Sequence, residues 1–207
     1  MVLLVQPLQI TWVKNKKMIS LKQYILEQFS VAGTTSNKIL LFDVDDTLIK
    51  SDVKVYVMKN GEIVNRLSSE DYNTYKLKPG ESFDYSEFDD EHILNKSQFL
   101  KYWDTLKREY SEGTHIGILT ARADKDMIYR FFKSKGFTIK NELVFAISDP
   151  KLKLKGNTIE ERKASAIETI IKYGYNTIVF FDDNQDNLNK AKKLEQRYDI
   201  KIHTIKA

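Results

Sequence analysis

The chain contains no cysteine, so disulfides and thiolate metal sites are both excluded. Any bound metal must then be held by oxygen atoms or by one of the three histidines. Oxygen is the expected donor, and oxygen donors suit a hard cation such as Mg²⁺. Long hydrophobic runs are also missing. The apolar stretch from Val2 to Ile10 is broken by Gln6 and Pro7, is too short for a bilayer, and has neither a basic leader nor a small-residue cleavage site after it. Neither a signal peptide nor a membrane anchor is expected, and the expected location is the cytoplasm, with no membrane partner. Strong charge of one sign is absent as well. A net charge of +4 and a pI near 8.9 are too mild to announce nucleic-acid binding. No internal repeat, low-complexity segment or P-loop pattern Gly-x4-Gly-Lys-Ser/Thr occurs.

What is present is the balance of a globular protein. Hydrophobic residues make up 42% and charged residues 30% of 207 positions, enough to bury one core of ordinary size with a small insertion. Residues 1–37 read as an N-terminal extension. Ser20 caps an amphipathic helix carrying Leu21, Tyr24, Ile25 and Phe29, which is expected to pack on the body, and 31–37 reads as a linker. From residue 38 the order becomes informative. Lys38-Ile39-Leu40-Leu41 is a short branched run of the kind found in a buried parallel strand. Val53 to Met58, the turn Asn60-Gly61, and Ile63 to Leu67 read as a hairpin. Residues 68–91 read as a loop-rich insertion whose aromatics are expected to seal it against the body, with stacking on a base as the alternative, and a helix is expected over 96–110.

Strands and helices then alternate. Strands are expected at 116–119, 143–147, 177–181 and 200–205, with helices over 124–135, 158–173 and 185–197 between them. This order predicts an α/β fold, a three-layer, Rossmann-like, doubly wound parallel sheet. The departure from it is a small cap or flap insertion over 51–112, where acidic residues outnumber Lys and Arg.

The chemistry-bearing residues fall at strand ends. Three acids, Asp43, Asp45 and Asp46, arrive where the first strand should stop, and Asp43 and Asp45, two residues apart, are expected in one crevice. Like charges so close need a cation or a shared proton. Thr120 and Arg122 follow the strand at 116–119, Asp182 and Asp183 follow the strand at 177–181, and Lys163 lies in the helix before it. Taken singly, each has a plain alternative: Thr120 as a helix cap, Lys163 on a solvated face, Arg122 paired with an acid.

Taken together and in this order, the motifs Asp43-x-Asp45-x-Thr47-Leu48, Thr120, Lys163 and Asp182-Asp183 resemble the haloacid dehalogenase (HAD) superfamily of phosphohydrolases. The resemblance spans residues 38–207. It implies a phosphomonoester hydrolase in which Asp43 is the nucleophile and Asp45 the general acid and base. Thr120 and Lys163 would bind the transferring phosphoryl group, with Thr47 beside them. Arg122 would bind a second phosphate or pair with an acid. Mg²⁺ would be held by Asp43, the backbone carbonyl of Asp45 and Asp183, with Asp182 adjacent. Lys151, Lys153 and Lys155 are alternatives to Lys163. Two departures stand out: Asp46 occupies a position where many members carry Gly, and Asn187 stands where a later acid is expected, able to coordinate through its carbonyl oxygen. A modest cap and a basic loop after Ile147 make the chain similar to phosphatase modules of polynucleotide-repair enzymes. The substrates implied are nucleotides or nucleic-acid ends, with small phosphorylated metabolites and a catalytically silent binding role as alternatives.

Overall fold

The computed structural model describes residues 37–207. The expected helix from Ser20 and all of the 31–37 linker except Asn37 lie outside the described residues. In chain order the first elements are β1 (Lys38–Phe42), β2 (Ile49–Lys50), β3 (Val55–Lys59), β4 (Glu62–Leu67), α1 (Ser69–Thr74), β5 (Glu81–Asp84), α2 (Glu91–Lys96) and β6 (Gln98–Phe99). They are followed by α3 (Lys101–Ser111), β7 (His115–Thr120), α4 (Lys125–Ser134), β8 (Val144–Ala146), α5 (Ile159–Lys172), β9 (Thr177–Asp182), α6 (Gln185–Lys192) and β10 (Lys201–Lys206).

The fold is mixed α/β, with a parallel sheet of five strands in the order β10-β9-β1-β7-β8 and helices flanking it. β1 lies at its centre. Ile39, Leu40, Leu41 and Phe42 are all buried, as a strand covered on both faces requires. The order runs outward from β1 in both directions, so Asp43, Thr120 and Asp182 reach the same edge of the sheet from three adjacent strands. Gly117 in β7 permits a close approach: a Cβ there would lie 2.7 Å from Cδ2 of Leu41 and 3.1 Å from the Leu143 carbonyl oxygen. α5 and α6 pack on each other, while Trp103 of α3 stacks on Phe132 and meets Phe131 edge-on, both from α4. Among the described residues no helix is long and apolar enough to cross a membrane.

The segment between β1 and β7 departs from the expectation in two places. Residues 68–91, read as loop, contribute α1, capped by Ser68 and Asp71, and a third strand, β5, that pairs with β3. The sheet β4-β3-β5 has its own small core, Val55, Val57 and Leu67 with Tyr72, Tyr75, Phe83 and Phe88 against it. The aromatics therefore seal this unit on itself. Glu81–Asp84 has little intrinsic strand preference, and its partner strand, over twenty residues earlier, supplies what composition does not. The helix expected over 96–110 forms as α3 from Lys101, and its expected first residues are instead the end of α2 at Lys96 and the strand β6. Ile49 and Lys50 pair with Phe99 and Gln98, and the Leu100 N–H donates to the Leu48 carbonyl, so the backbone there is taken by strand bonds.

Candidate active site

The loop after β1 is wound around one carbonyl. Val44, wholly buried, accepts the N–H groups of Thr47, Leu48 and Ile49, while Asp43 N–H donates to Phe181 on β9. This tight turn requires a left-handed residue, and Asp46 fills that place with φ 56°. Asp is among the few side chains that tolerate this region, and Gly is the other common solution, so Asp46 is explained by backbone conformation.

Asp43 is buried and its Oδ1 lies 2.8 Å from the Lys163 ammonium. The same ammonium is 2.7 Å from Oδ2 of Asp182, also wholly buried. Lys163 comes from α5, whose inward stripe is Lys163, Ile167 and Ile170, so helical spacing carries the lysine under the sheet edge with the apolar residues. Lys151, Lys153 and Lys155 are exposed. Thr47 donates a long hydrogen bond of 3.4 Å to Oδ2 of Asp43. Asp182 Oδ1 accepts the Asn184 N–H at 2.8 Å and the Asn187 side-chain amide at 2.9 Å. Asn187, expected to offer its carbonyl oxygen to a metal, is thus turned amide-first toward Asp182 and orients that carboxylate.

One carboxylate oxygen from each of Asp43, Asp182 and Asp183 lies within 4.8 Å of the other two. One ammonium faces three acids, and two of them, Asp43 and Asp183, are pushed up by burial and by the neighbouring negative charge. Burial, then the charges of Asp182 and Asp183, push Asp43 well above the usual carboxylate range despite Lys163. Burial and the charge of Asp182 push Asp183 up to about 6. Burial opposes the charge on Lys163, but Asp43 and Asp182 outweigh it and hold the ammonium above the usual lysine range. Asp182 accepts three hydrogen bonds on its two oxygens, whereas Asp43 accepts one short bond from Lys163 and one long bond from Thr47, which leaves Asp43 and Asp183 as the carboxylates with capacity to spare. An all-oxygen donor set with uncompensated negative charge fits a hard divalent cation.

Asp45 has a different partner. Its Oδ1 and Oδ2 accept Nη2 and Nε of Arg122 at 2.8 and 2.9 Å, a bidentate pair, and Ser51 adds a hydroxyl at 3.2 Å. The side chains at positions 43 and 45, expected in one crevice with a cation or a shared proton to compensate them, are therefore handed to separate cationic side chains. Of the two roles expected for Arg122, the structure shows the acid pairing: the side chain is wholly buried, and its Nη1 donates to the Phe88 carbonyl. The Phe88 ring lies 5.2 Å from the guanidinium carbon. Thr120, also buried, accepts the Arg122 N–H at 3.3 Å, which leaves its hydroxyl proton to give.

Residues that sequence reasoning missed are Ser51, Phe88 and Asn184. Asn184 carried a signal, since an Asn just before a helix is a typical cap, and it does accept the N–H groups of Asp186 and Asn187. Phe88 acts through its backbone carbonyl and carried none. Comparison with protein-family models, curated proteins and solved structures gave no match.

Proposed function

We propose that this chain is a Mg²⁺-dependent phosphomonoester hydrolase that works through an aspartyl-phosphate on Asp43. One observation carries the reading: Lys163 bridges Asp43 and Asp182 at 2.8 and 2.7 Å inside a three-carboxylate cluster at the carboxyl edge of a parallel sheet. A solvated acidic turn has no use for a buried lysine. In the same reading residues 51–112 act as a cap on a three-layer core.

The chemistry follows from the donors. An oxygen of Asp43 attacks phosphorus, the ester P–O bond breaks, and Asp45 gives the leaving oxygen a proton. Water then attacks the phosphorus of the acyl phosphate, Asp45 takes its proton, and phosphate leaves Asp43 as a free carboxylate. Lys163 has three N–H groups and uses two on Asp43 and Asp182, so the third is left for a phosphoryl oxygen. The Thr120 hydroxyl supplies a second donor where charge spreads in the transition state. Asp43, Asp183 and the Asp45 carbonyl would hold Mg²⁺, whose positive charge lets an anionic nucleophile meet an anionic ester.

Nucleotides or nucleic-acid ends are supported by a groove of about 490 Å³ lined by Phe99, Trp103, Lys101, Lys107 and Lys135, in which Phe99 is 49% exposed. Its strand, β6, pairs directly with the β2 segment that follows the Asp43 to Thr47 loop. Small metabolites are supported by the turn beside Arg122, which carries Glu87 and Asp89 and would repel a polyanion. A panel of phosphate esters, run with wild type and Asp43→Asn with and without Mg²⁺, tests the reading. Nucleic-acid substrates should show a lower KM than sugar phosphates and a strong salt dependence. Pure wild-type protein that turns over no ester with any divalent cation would sink it.

A further inference from the structure

We infer that Arg122 is a positioning residue for Asp45 and that the Ser86–Asp89 turn of the insertion completes the device by seating the guanidinium. The inference rests on the phosphatase reading and adds to it a link between the insertion and the acid/base group.

Three observations carry it. The Arg122 side chain is 0% exposed while that of Asp45 is 23% exposed, so the guanidinium forms a wall against which the carboxylate rests at the edge of solvent. Every nitrogen of that guanidinium is engaged: Nε and Nη2 on Asp45 and Nη1 on the Phe88 carbonyl, with the Phe88 ring alongside. Two of its five N–H groups are left over by these bonds, but they are wholly buried with the side chain and are not presented to a second phosphate while Asp45 holds the guanidinium. Finally, the turn is itself tethered. Glu87 accepts the Lys54 N–H at 2.7 Å and the Tyr56 hydroxyl, and Phe88 packs on the small core of Val55, Val57 and Leu67. A continuous line of packed and hydrogen-bonded groups thus runs from the insertion through Phe88 and Arg122 to Asp45.

A planar fork with two parallel bonds fixes the direction of a carboxylate as well as its place. Asp45 sits on a loop with few other constraints on its side chain, Ser51 being the second. Loosening the turn should therefore let Asp45 wander without disturbing Asp43, Lys163 or Asp183.

The test uses the difference between leaving groups. A nitrophenolate departs without a proton, whereas an alkoxide needs one at the moment of bond breaking. Because the Arg122 side chain is wholly buried and its loss threatens folding, the variants are Phe88→Ala and Glu87→Ala. Each is assayed with p-nitrophenyl phosphate and glycerol phosphate at saturating Mg²⁺. The expected result is a fall in kcat/KM of about 10-fold or more for the alkyl ester and less than about 3-fold for the aryl ester, because kcat/KM reports on formation of the aspartyl-phosphate and not on the water step that the two esters share. The ratio is internal to one preparation, so partial unfolding cancels. Equal falls for the two esters, or no fall in either, would overturn the positioning role while the phosphatase reading stands. Wild type inactive on both esters would overturn that reading and the positioning role with it.

Discussion

Lys163 Nζ lies 2.8 Å from Asp43 Oδ1, a contact between residues 120 positions apart that joins the end of the central strand to the buried face of α5. A buried charge in such a place is costly to strand.

Asp43→Asn keeps the volume and a hydrogen-bond acceptor for Lys163 but removes the nucleophile. Hydrolysis of p-nitrophenyl phosphate should fall by about 10⁴-fold or more, with melting temperature little changed. Activity surviving the change would remove Asp43 from its role.

Lys163→Met should fail twice. It leaves Asp43 and Asp182 buried without a counter-charge, which costs about 3 to 5 kcal/mol in denaturant unfolding. It also removes a phosphoryl donor, worth about 3 kcal/mol of barrier. Adding Asp182→Asn should recover part of the stability and none of the activity. Full recovery of activity by the double variant would argue that the lysine acts only as a counter-ion.

Asp183 gives a pH signature. Its carboxyl titrates at about 6 in the fold against an ordinary 3.8, so the folded protein holds more protons than the unfolded chain between those values. The metal-free fold accordingly loses stability from this group as pH rises through that window. Asp183→Asn should therefore melt higher than wild type above pH 6 in EDTA, and the gap should close toward pH 4. Mg²⁺ should raise the melting temperature of wild type at pH 7.5 and leave the variant unmoved. A gap that does not change with pH would contradict the assignment.

Asp46 tests the backbone account of the loop. Asp46→Gly should be neutral or slightly stabilising and active, since φ 56° costs glycine nothing. Asp46→Val should lose about 1 to 2 kcal/mol, because a β-branched side chain is strained there. A destabilised glycine variant with intact valine stability would show that the carboxylate itself matters.

Much of this was legible from residue order alone. Periodicity located the five strands of the main sheet to within a residue or two, because a parallel strand covered on both faces must be a short apolar run, as Lys38–Phe42 and Thr177–Asp182 are. The helices expected from 124 and 158 do begin there, with Asp124 and Thr158 as their caps. β5 and the break at Ser97 were not legible, since their backbone bonds go to β3 and β2, partners that local propensity cannot name.

The sequence by itself determined which acids and which threonine stand at strand ends, because alternation is local geometry, while it left the lysine open between Lys163 and the 151–155 loop. Only the tertiary structure decided how their charges are shared. Lys163 went to Asp43 and Asp182, Arg122 to Asp45, and Asn187 to Asp182 by its amide. A buried charge takes the partner that packing brings within hydrogen-bond reach, and no spacing along the chain encodes that distance.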